Sequence, residues 1–542
     1  MVFSLLGALL SLLGSLDPGA LPADLFSRPM LAEAPEDALV AVYIPDLALD
    51  YGGPSSRPML NELLSSLLAE GSLGPSDQLA PEELFRLVRS EALFLLIPPP
   101  PDSQLFEPEL TLVLRPMNPA FFALLRALVG ERESVATPAG LEGLRAFGDE
   151  YEVLAYSEEL FYYTSSVETL ARVVRGRGLT GAARFSACTA PLPRSLALAA
   201  YVDLHGLLRL PVVDWWTGLA TEPELTPFEE RLEAVGAGLL PGATGGLRVE
   251  LTLAAGEPSA ILDAFPERRR PPELIGLYPG RCLVAVEAHL ARPLTTLAEL
   301  GLAFWLESAE MAPASRKQAH YPSSAARPEP ELSPELFALL GELDALAGDT
   351  FGMSVHALPG EPRSRAARDF IEELLDVELE HADPRLAFYF ASPEPEALAD
   401  GLLGLMAEGA AVRETTFGGV AGRMVERDDG TGLCLLPLGG LLVVAPDEPS
   451  ASYIAQNLGG AEALAGLDAF RGSPAGTAEP VSLAVWVDVP ALLAASQGPE
   501  SGDIAGMFGL TASGFNVSVS GDRITLEGDT GLLGLIFALF GL

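Results

Sequence analysis

The sequence is poor in the residues that most often carry catalysis. Its three cysteines, Cys188, Cys282 and Cys434, lie far apart and lack C-x-x-C spacing, which excludes a disulfide framework as the main covalent support. None of its five histidines belongs to an H-E-x-x-H zinc motif. There is also no G-x-S-x-G nucleophile elbow and no phosphate-binding P-loop. We therefore expect no cofactor and no enzymatic activity from a recognisable motif.

Positive charge is equally scarce. The chain has one lysine, Lys317, and a formal net charge of -41 with a pI near 4.3. Such a negative field repels phosphate backbones, so we expect no nucleic-acid partner. Although 49% of the residues are hydrophobic, no apolar run reaches the roughly 18 to 20 residues of a membrane span. The composition indicates a globular protein with large cores.

Two halves of the chain repeat one order of strand and helix patterns. Residues 39–42 match residues 283–286, and residues 160–163 correspond to residues 441–444. The separation between matching segments only increases along the chain, as expected for a duplication with a few insertions.

This pattern predicts the domain organisation. We expect an apolar N-terminal segment and lead-in at 1–34, a first repeat at 35–270, a second repeat at 271–530 with a mobile insertion at 308–332, and an apolar C-terminal tail at 531–542.

Within each repeat, hairpins are interspersed with helices. Short turns at 157–159 and 438–440 join neighbouring strand patterns, which indicates antiparallel pairing. Strands and helices do not alternate as regularly as in a doubly wound parallel fold. We predict an α+β fold class: a tandem duplication of a mixed module with mainly antiparallel sheets and flanking helices.

Four short segments give the sequence a family resemblance. They are the Pro-Glu-Asp-Ala opening at 35–38, the Phe-Tyr-Tyr-Thr-Ser-Ser strand end at 161–166, the pair at 184–185, and Ala-Tyr-Val-Asp-Leu at 200–204. In this succession the sequence resembles a family of exported bacterial proteins catalogued as domain of unknown function 3352, over most of both halves. The resemblance brings no established catalytic residues. It implies an envelope or extracellular location.

The two ends of the chain carry apolar runs with a shared spacing. Residues 1–16 have the size of a signal-peptide core, but no basic residue precedes it and no clean cleavage site follows. Small residues recur in both runs in steps of three and four, so on a helix they form one stripe that lets a second helix approach closely. The candidate interaction residues are Ser4, Gly7, Ser11, Gly14, Gly531, Gly534, Ala538 and Gly541.

These runs are too short to span a bilayer alone. We expect them to contact a protein partner or to enter a membrane shallowly. The alternative is a leader peptide together with a last helix that fills the core.

One pair of residues has metal-ligand spacing. Glu378 and His381 form E-x-x-H within a strongly acidic predicted helix, where both side chains can share one face. A di-iron carboxylate site needs a second such motif, which the first repeat lacks. The pair is therefore a weak metal candidate, and a solvated acidic face is the alternative.

Two further motifs have structural explanations. Gly176, Gly178 and Gly181 spell G-x-G-x-x-G, but they follow a predicted helix instead of a strand, so we interpret them as a helix-ending turn. Asp203 and Asp488 both stand between a strand and an apolar helix start. We predict that they cap those helices, since an aspartate accepts hydrogen bonds from first-turn amides.

These observations favour a non-enzymatic cell-envelope or secreted protein that acts as a binding or scaffolding module. One alternative is a hydrolase with acidic residues in the cleft between the repeats. Another is a subunit of a larger assembly, docked through its apolar termini. We expect a periplasmic or extracellular location, with a cytoplasmic one as the alternative. The sequence does not identify a small-molecule ligand.

Overall fold

The computed structural model describes most of the chain between residues 29 and 529. The described residues are 29–32, 34–45, 89–99, 108–129, 138, 140–147, 152–176, 178–193, 196, 198–208, 231–240, 246–254, 264–266, 269–298, 334–360, 368, 371–372, 379, 382–406, 410–427, 432–498, 500–501 and 511–529. The predicted insertion at 308–332 and the predicted tail at 531–542 lie outside them.

The chain divides into two compact units. Unit 1 comprises Met1–Ser259, Phe508–Leu510 and Val519–Leu542, and unit 2 comprises Ala260–Met507 and Thr511–Ser518. Unit 1 therefore takes its last strand from the C-terminal end of the chain.

Nineteen strands are present among the described residues. In chain order they are β1 Val40–Ile44, β2 Ser90–Ile97, β3 Glu109–Pro116, β4 Gly143–Phe147, β5 Glu152–Tyr156, β6 Phe161–Thr164, β7 Leu198–Val202, β8 Leu232–Leu240, β9 Gly246–Leu253, β10 Cys282–His289, β11 Thr350–Pro359, β12 Ala382–Ala391, β13 Ala410–Phe417, β14 Val420–Arg427, β15 Gly432–Leu438, β16 Leu441–Ala445, β17 Leu483–Asp488, β18 Ala512–Ser520 and β19 Arg523–Asp529.

Helices occupy connections between these strands. They are α1 Pro29–Ala32, α2 Pro119–Val129, α3 Val167–Arg175, α4 Ala183–Thr189, α5 Leu204–Leu208, α6 Pro334–Asp344, α7 Pro395–Met406, α8 Glu448–Asn457, α9 Asp468–Gly472 and α10 Val489–Gln497.

In unit 1 the strands follow the order β4-β5-β6-β3-β2-β1-β7-β8-β9-β19, and every neighbouring pair is antiparallel. Side chains alternate between the two faces of the sheet. Ala41 and Tyr43 of β1 join the core under α3 and α4, whereas Ile44 packs in a second core with Leu125 of α2. Because both faces are covered, the central strands are almost continuously apolar.

In unit 2 the strands follow the order β18-β17-β10-β11-β12-β16-β15-β14-β13, again antiparallel throughout. One face packs against α8 and α9, with Trp486 and Phe470 edge to face at a centroid distance of 5.5 Å. The other face packs against α6 and α7. The predicted hairpins at 157–159 and 438–440 are confirmed as β5–β6 and β15–β16.

The predicted fold class, an α+β tandem duplication, is wrong. The described strands of each unit, ten in unit 1 and nine in unit 2, form an antiparallel sheet, and the architecture is mostly β. The prediction missed β4, β8, β13 and β14, because their Gly, Ala, Arg and Glu residues have little intrinsic strand preference. It also placed residues 523–529 in the second repeat, whereas they form β19, which pairs with β9 of the first.

The β9–β19 pair is fastened by a charged cluster on one face. Arg248 Nε donates to Glu250 Oε1 at 2.9 Å, and its Nη1 donates to Glu527 Oε1 at 2.6 Å. The Thr525 hydroxyl donates to the other oxygen of Glu250 at 2.9 Å. Glu250 is fully buried, so its carboxylate needs a positively charged partner, and Arg248 provides it. Without β19, the backbone groups along one edge of β9 would have no strand partner.

This cluster yields a stability prediction. Arg248→Met leaves the buried Glu250 carboxylate without its ion-pair partner, and we expect the free energy of unfolding to fall by about 3 kcal/mol. Urea denaturation followed by circular dichroism measures the change.

Two controls accompany it. Glu527→Gln removes only the partly exposed member and should cost less than about 1 kcal/mol. Arg248→Met combined with Glu250→Met should recover most of the loss, because no unpaired buried charge remains. If Arg248→Met costs no more than Glu527→Gln, the cluster does not fasten the pair.

Candidate functional site

The sequence-predicted site residues fall largely outside the described part of the chain. The eight small residues of the terminal stripes lie there, as do Glu378 and His381. The nearby Glu372 is described: it accepts hydrogen bonds from Arg368 Nε and from the Leu379 amide, both at 2.7 Å. The hydrogen bond from Arg368 holds the pKa of Glu372 below its usual range, against the effect of burial. The metal and terminal-contact predictions therefore stay predictions.

The two aspartates at matching places in the repeated sequence pattern are helix caps. Asp203 Oδ1 accepts from the Gly206 amide at 2.9 Å, and Asp488 Oδ1 accepts from the Ala491 amide at 3.0 Å. The capping prediction is confirmed for both. Gly176 ends α3, which confirms the helix-ending turn.

A buried carboxylate joins β3 to the start of α3. Ser165 and Ser166 donate their hydroxyls to Glu109 Oε2 at 2.9 and 2.8 Å, and the Thr169 hydroxyl donates to the same oxygen. Ser166 also caps α3 by accepting from the Thr169 amide. This is the structural use of the Thr-Ser-Ser strand end, and it leaves Glu109 bound by hydroxyls of its own unit.

The arrangement closest to a nucleophile and base is Ser354 beside His356 in unit 2. His356 Nε2 lies 2.9 Å from Ser354 Oγ, which lies 2.7 Å from the Tyr389 hydroxyl, and His356 Nδ1 faces the Arg281 carbonyl at 3.2 Å. A serine next to an imidazole is the geometry that activates a hydroxyl. Ser354, His356 and Tyr389 are all completely buried, so no substrate reaches them in this structure.

Within the described ranges, no group of three or more His, Cys, Asp or Glu side chains is placed to hold a metal ion. No described helix combines the length and the apolar character needed to cross a membrane.

Among the described strands of unit 2, β13 has the most exposed residues. It pairs with β14, and the described residues contain no strand on its other edge. The preceding strand, β12, already pairs on both edges, with β11 and β16. Residues 411–414 are exposed, including Val412 at 46%, whereas Phe417 is buried and anchors the strand. β13 is therefore held at one end and exposed along its middle.

The turn fixes which backbone groups of β13 point outward. Gly418 and Gly419 have φ of 56° and 93°, the left-handed values that a two-residue hairpin turn requires. In such a hairpin Phe417 and Val420 exchange both hydrogen bonds, and the pattern alternates along the ladder. The odd-numbered residues from 411 to 417 then bond to β14. The N–H and C=O groups of Ala410, Val412, Glu414 and Thr416 face outward.

Strand β13 was not predicted from the sequence, although one signal was present. A Gly-Gly pair between Thr-Thr-Phe and Val-Ala is typical of a two-residue hairpin. The exposed Arg413 and Glu414 interrupt the hydrophobic alternation, so the flanking residues do not show a strand with one buried face.

Comparisons with known proteins add little to this geometry. The chain matches no protein-family model and no curated protein. Two solved structures, of crystal forms IV and I of TP0453, are 15% and 16% identical to the chain. Each alignment covers 43% of this chain, 81% and 82% of the respective TP0453 chains, and has a TM-score of 0.23. A similarity this low carries no argument about fold or function.

The buried histidine gives a prediction about pH. Burial lowers the pKa of His356 from 6.5 to about 4, so the folded protein resists protonating it while the unfolded chain does not. The unfolding free energy is therefore unaffected by this histidine above pH 6.5. As the pH falls from 6.5 towards 4, the unfolded chain binds a proton that the folded protein does not, and the unfolding free energy falls by about 3 kcal/mol in total.

His356→Phe removes this titration. The unfolding free energy of wild type minus that of the variant should therefore fall by about 3 kcal/mol between pH 7 and pH 4. Denaturant unfolding at a series of pH values measures it. A difference that stays constant over this interval would refute the assignment.

Proposed function

We propose that this protein is a non-enzymatic cell-envelope or secreted protein that acts as a binding or scaffolding module, and that β13 is the strand to which a partner polypeptide adds. The observation that carries the proposal is that, among the described residues, β13 has a strand partner on one edge only, and that its side chains at residues 411–414 are exposed on both faces. An extended segment that pairs with this edge would satisfy the outward backbone groups.

The chemistry of the edge indicates what kind of partner it takes. Four residues, Ala410, Val412, Glu414 and Thr416, offer backbone donors and acceptors at every second position. Main-chain hydrogen bonds of this kind provide affinity without requiring a particular side chain. The edge has no proline and no bulge, and its two charged side chains, Arg413 and Glu414, are of opposite sign. The net charge of -41 steers positively charged partners towards the chain.

The polar groups of the interior support a non-enzymatic role. The Ser354–His356 pair is inaccessible to substrate. Glu109 and Glu250 are already bound by side chains of their own unit. Asp203 and Asp488 cap helices. Each of these groups has a structural use that explains its position.

The proposed location rests on the sequence. The resemblance to the exported family of unknown function and the apolar run at 1–16 both favour export. The small-residue stripes at the two ends remain proposed contacts with a protein partner or, shallowly, with a membrane.

A proline substitution tests the role of β13. Val412→Pro removes an outward N–H while leaving the bonds to β14 intact, and edge strands tolerate proline at such positions. Val412→Thr keeps both the N–H and a β-branched side chain. Tagged wild type and both variants would be recovered with cross-linked partners from fractionated cells that produce the protein. We expect wild type and Val412→Thr to retain the same partner in the envelope or secreted fraction. The amount of partner recovered with Val412→Pro should be lower by at least about tenfold.

Two results would contradict the proposal. If Val412→Pro is folded by circular dichroism and retains the partner, β13 is not the binding edge. If the wild-type protein is recovered as a lone cytoplasmic monomer, both the location and the binding role are wrong.

A further inference from the structure

The two charged side chains of β13 lie on opposite faces of the strand, and neither has an ionic partner among the described residues. Arg413 and Glu414 are adjacent in sequence, so one projects to each face. Both are exposed, and neither forms an ion pair within the described ranges. Each is therefore available to a side chain of a strand that adds to the outer edge.

Arg413 is held by one weak contact. Its Nη2 donates at 3.2 Å to Sδ of Met424, the residue directly opposite on β14. A thioether is a weak acceptor, so most of the donor capacity of the guanidinium is unused. Glu426 lies on the same face of β14, opposite Ala411, but it forms no ion pair with Arg413. A carboxylate directly opposite Arg413 on an added strand is within reach of these donors.

Glu414 lies on the other face, where negative charge is in excess. The residue opposite it on β14 is Arg423, whose guanidinium is already engaged by two carboxylates of α7. Its Nη1 bonds to Asp400, and its Nη2 lies 3.7 Å from Glu396. These four positions carry three carboxylates and one guanidinium. A basic side chain opposite Glu414 on an added strand is therefore attracted to this face.

A second copy of the chain does not supply these partners. In an antiparallel pair, two residues that lie directly opposite each other either both bond across the shared edge or both point away from it. If two copies joined through β13, even-numbered residues would oppose even-numbered ones, and odd-numbered residues would oppose odd-numbered ones. Arg413 would then face position 411, 413 or 415 of the second copy, and Glu414 would face position 410, 412, 414 or 416. No register brings Arg413 opposite Glu414.

The individual registers of such a dimer are also unfavourable. The register centred on residue 413 opposes two arginines, and the register centred on residue 414 opposes two glutamates, which destabilises the pairing. The register centred on residue 412 places each charged residue opposite an alanine and uses only residues 410–414. Each copy also carries a net charge of -41, so two copies repel. The edge thus favours another polypeptide over a second copy.

We propose, building on the proposed function, that the strand that adds to β13 belongs to a different polypeptide, runs antiparallel, and carries a basic residue opposite Glu414 and an acidic residue opposite Arg413. The antiparallel direction matches the pairing of the described strands of unit 2 and is the more stable one per residue. In that direction the segment reads basic and then acidic from its N-terminus. The two charges also fix the register, because a slip by one residue moves every side chain to the other face.

Two capped heptapeptides of identical composition test this assignment with the full chain. Thr-Thr-Lys-Glu-Val-Thr-Val places its lysine opposite Glu414 and its glutamate opposite Arg413, and Thr-Thr-Glu-Lys-Val-Thr-Val exchanges the two charges. Titrations followed by fluorescence anisotropy of the labelled peptides give both dissociation constants. We expect wild type to bind the first peptide at least about threefold more tightly than the second.

Three variants complete the test. Arg413→Glu combined with Glu414→Arg keeps the net charge and the backbone edge, and it should prefer the second peptide by a similar factor. Val412→Pro should bind both peptides at least about tenfold more weakly than wild type, whereas Val412→Thr should bind as wild type does.

The outcomes separate this proposal from the proposed function. Equal binding of the two peptides by wild type, or tighter binding of the second, would overturn the charge assignment; if Val412→Pro still weakens both, β13 remains the binding edge. Peptide binding that Val412→Pro leaves unchanged would overturn the proposed function as well.

Analytical ultracentrifugation of the wild-type chain tests the alternative occupant. We expect a monomer, because no register of β13 with itself pairs its charges. A dimer that Val412→Pro abolishes would show that a second copy fills the edge and would overturn the proposal.

Discussion

The structure depends on the requirement that the backbone groups along a strand edge be paired. Antiparallel strands leave N–H and C=O groups on both sides, and the interior strands of the two units satisfy them by taking a neighbour on each side, whereas β13 has a described neighbour on one side only. The clearest instance is β9, which ends the N-terminal part of unit 1 and is completed by β19 from the far end of the chain. A pairing between segments so distant in sequence imposes a large loop-closure cost, which the Arg248–Glu250–Glu527 cluster helps to offset.

Polar side chains inside the units serve the same end. Because a buried charge or hydroxyl must find a partner, each one fixes a particular contact between elements. Glu109 joins a strand to a helix start, and Asp383 holds Arg385 in a bidentate pair within β12. The polar groups of the interior thus serve the structure.

How far the fold follows from the sequence can be judged from individual elements. Strong apolar patterns located strands such as β1 and β10, and local turn and capping chemistry located the β5–β6 hairpin and the two capping aspartates. β13 and β8 were missed because glycine, alanine and charged residues weaken the strand pattern. The β9–β19 partnership is a long-range choice that no local signal encodes, and neither that choice nor the exposed edge of β13 was foreseen. Because the sequence pattern did not reveal the β9–β19 pairing or the weakly patterned strands, it predicted two α+β modules.

Residue-resolved hydrogen exchange of the isolated protein tests whether β13 presents an unpaired backbone edge to a partner. If it does, the amides of residues 411, 413, 415 and 417, bonded to β14, are protected, whereas those of residues 410, 412, 414 and 416 exchange at near-intrinsic rates. Addition of a partner strand should protect the second set. Uniform protection of both sets in the isolated chain would show that the edge is already paired, and β13 would then not be the binding strand.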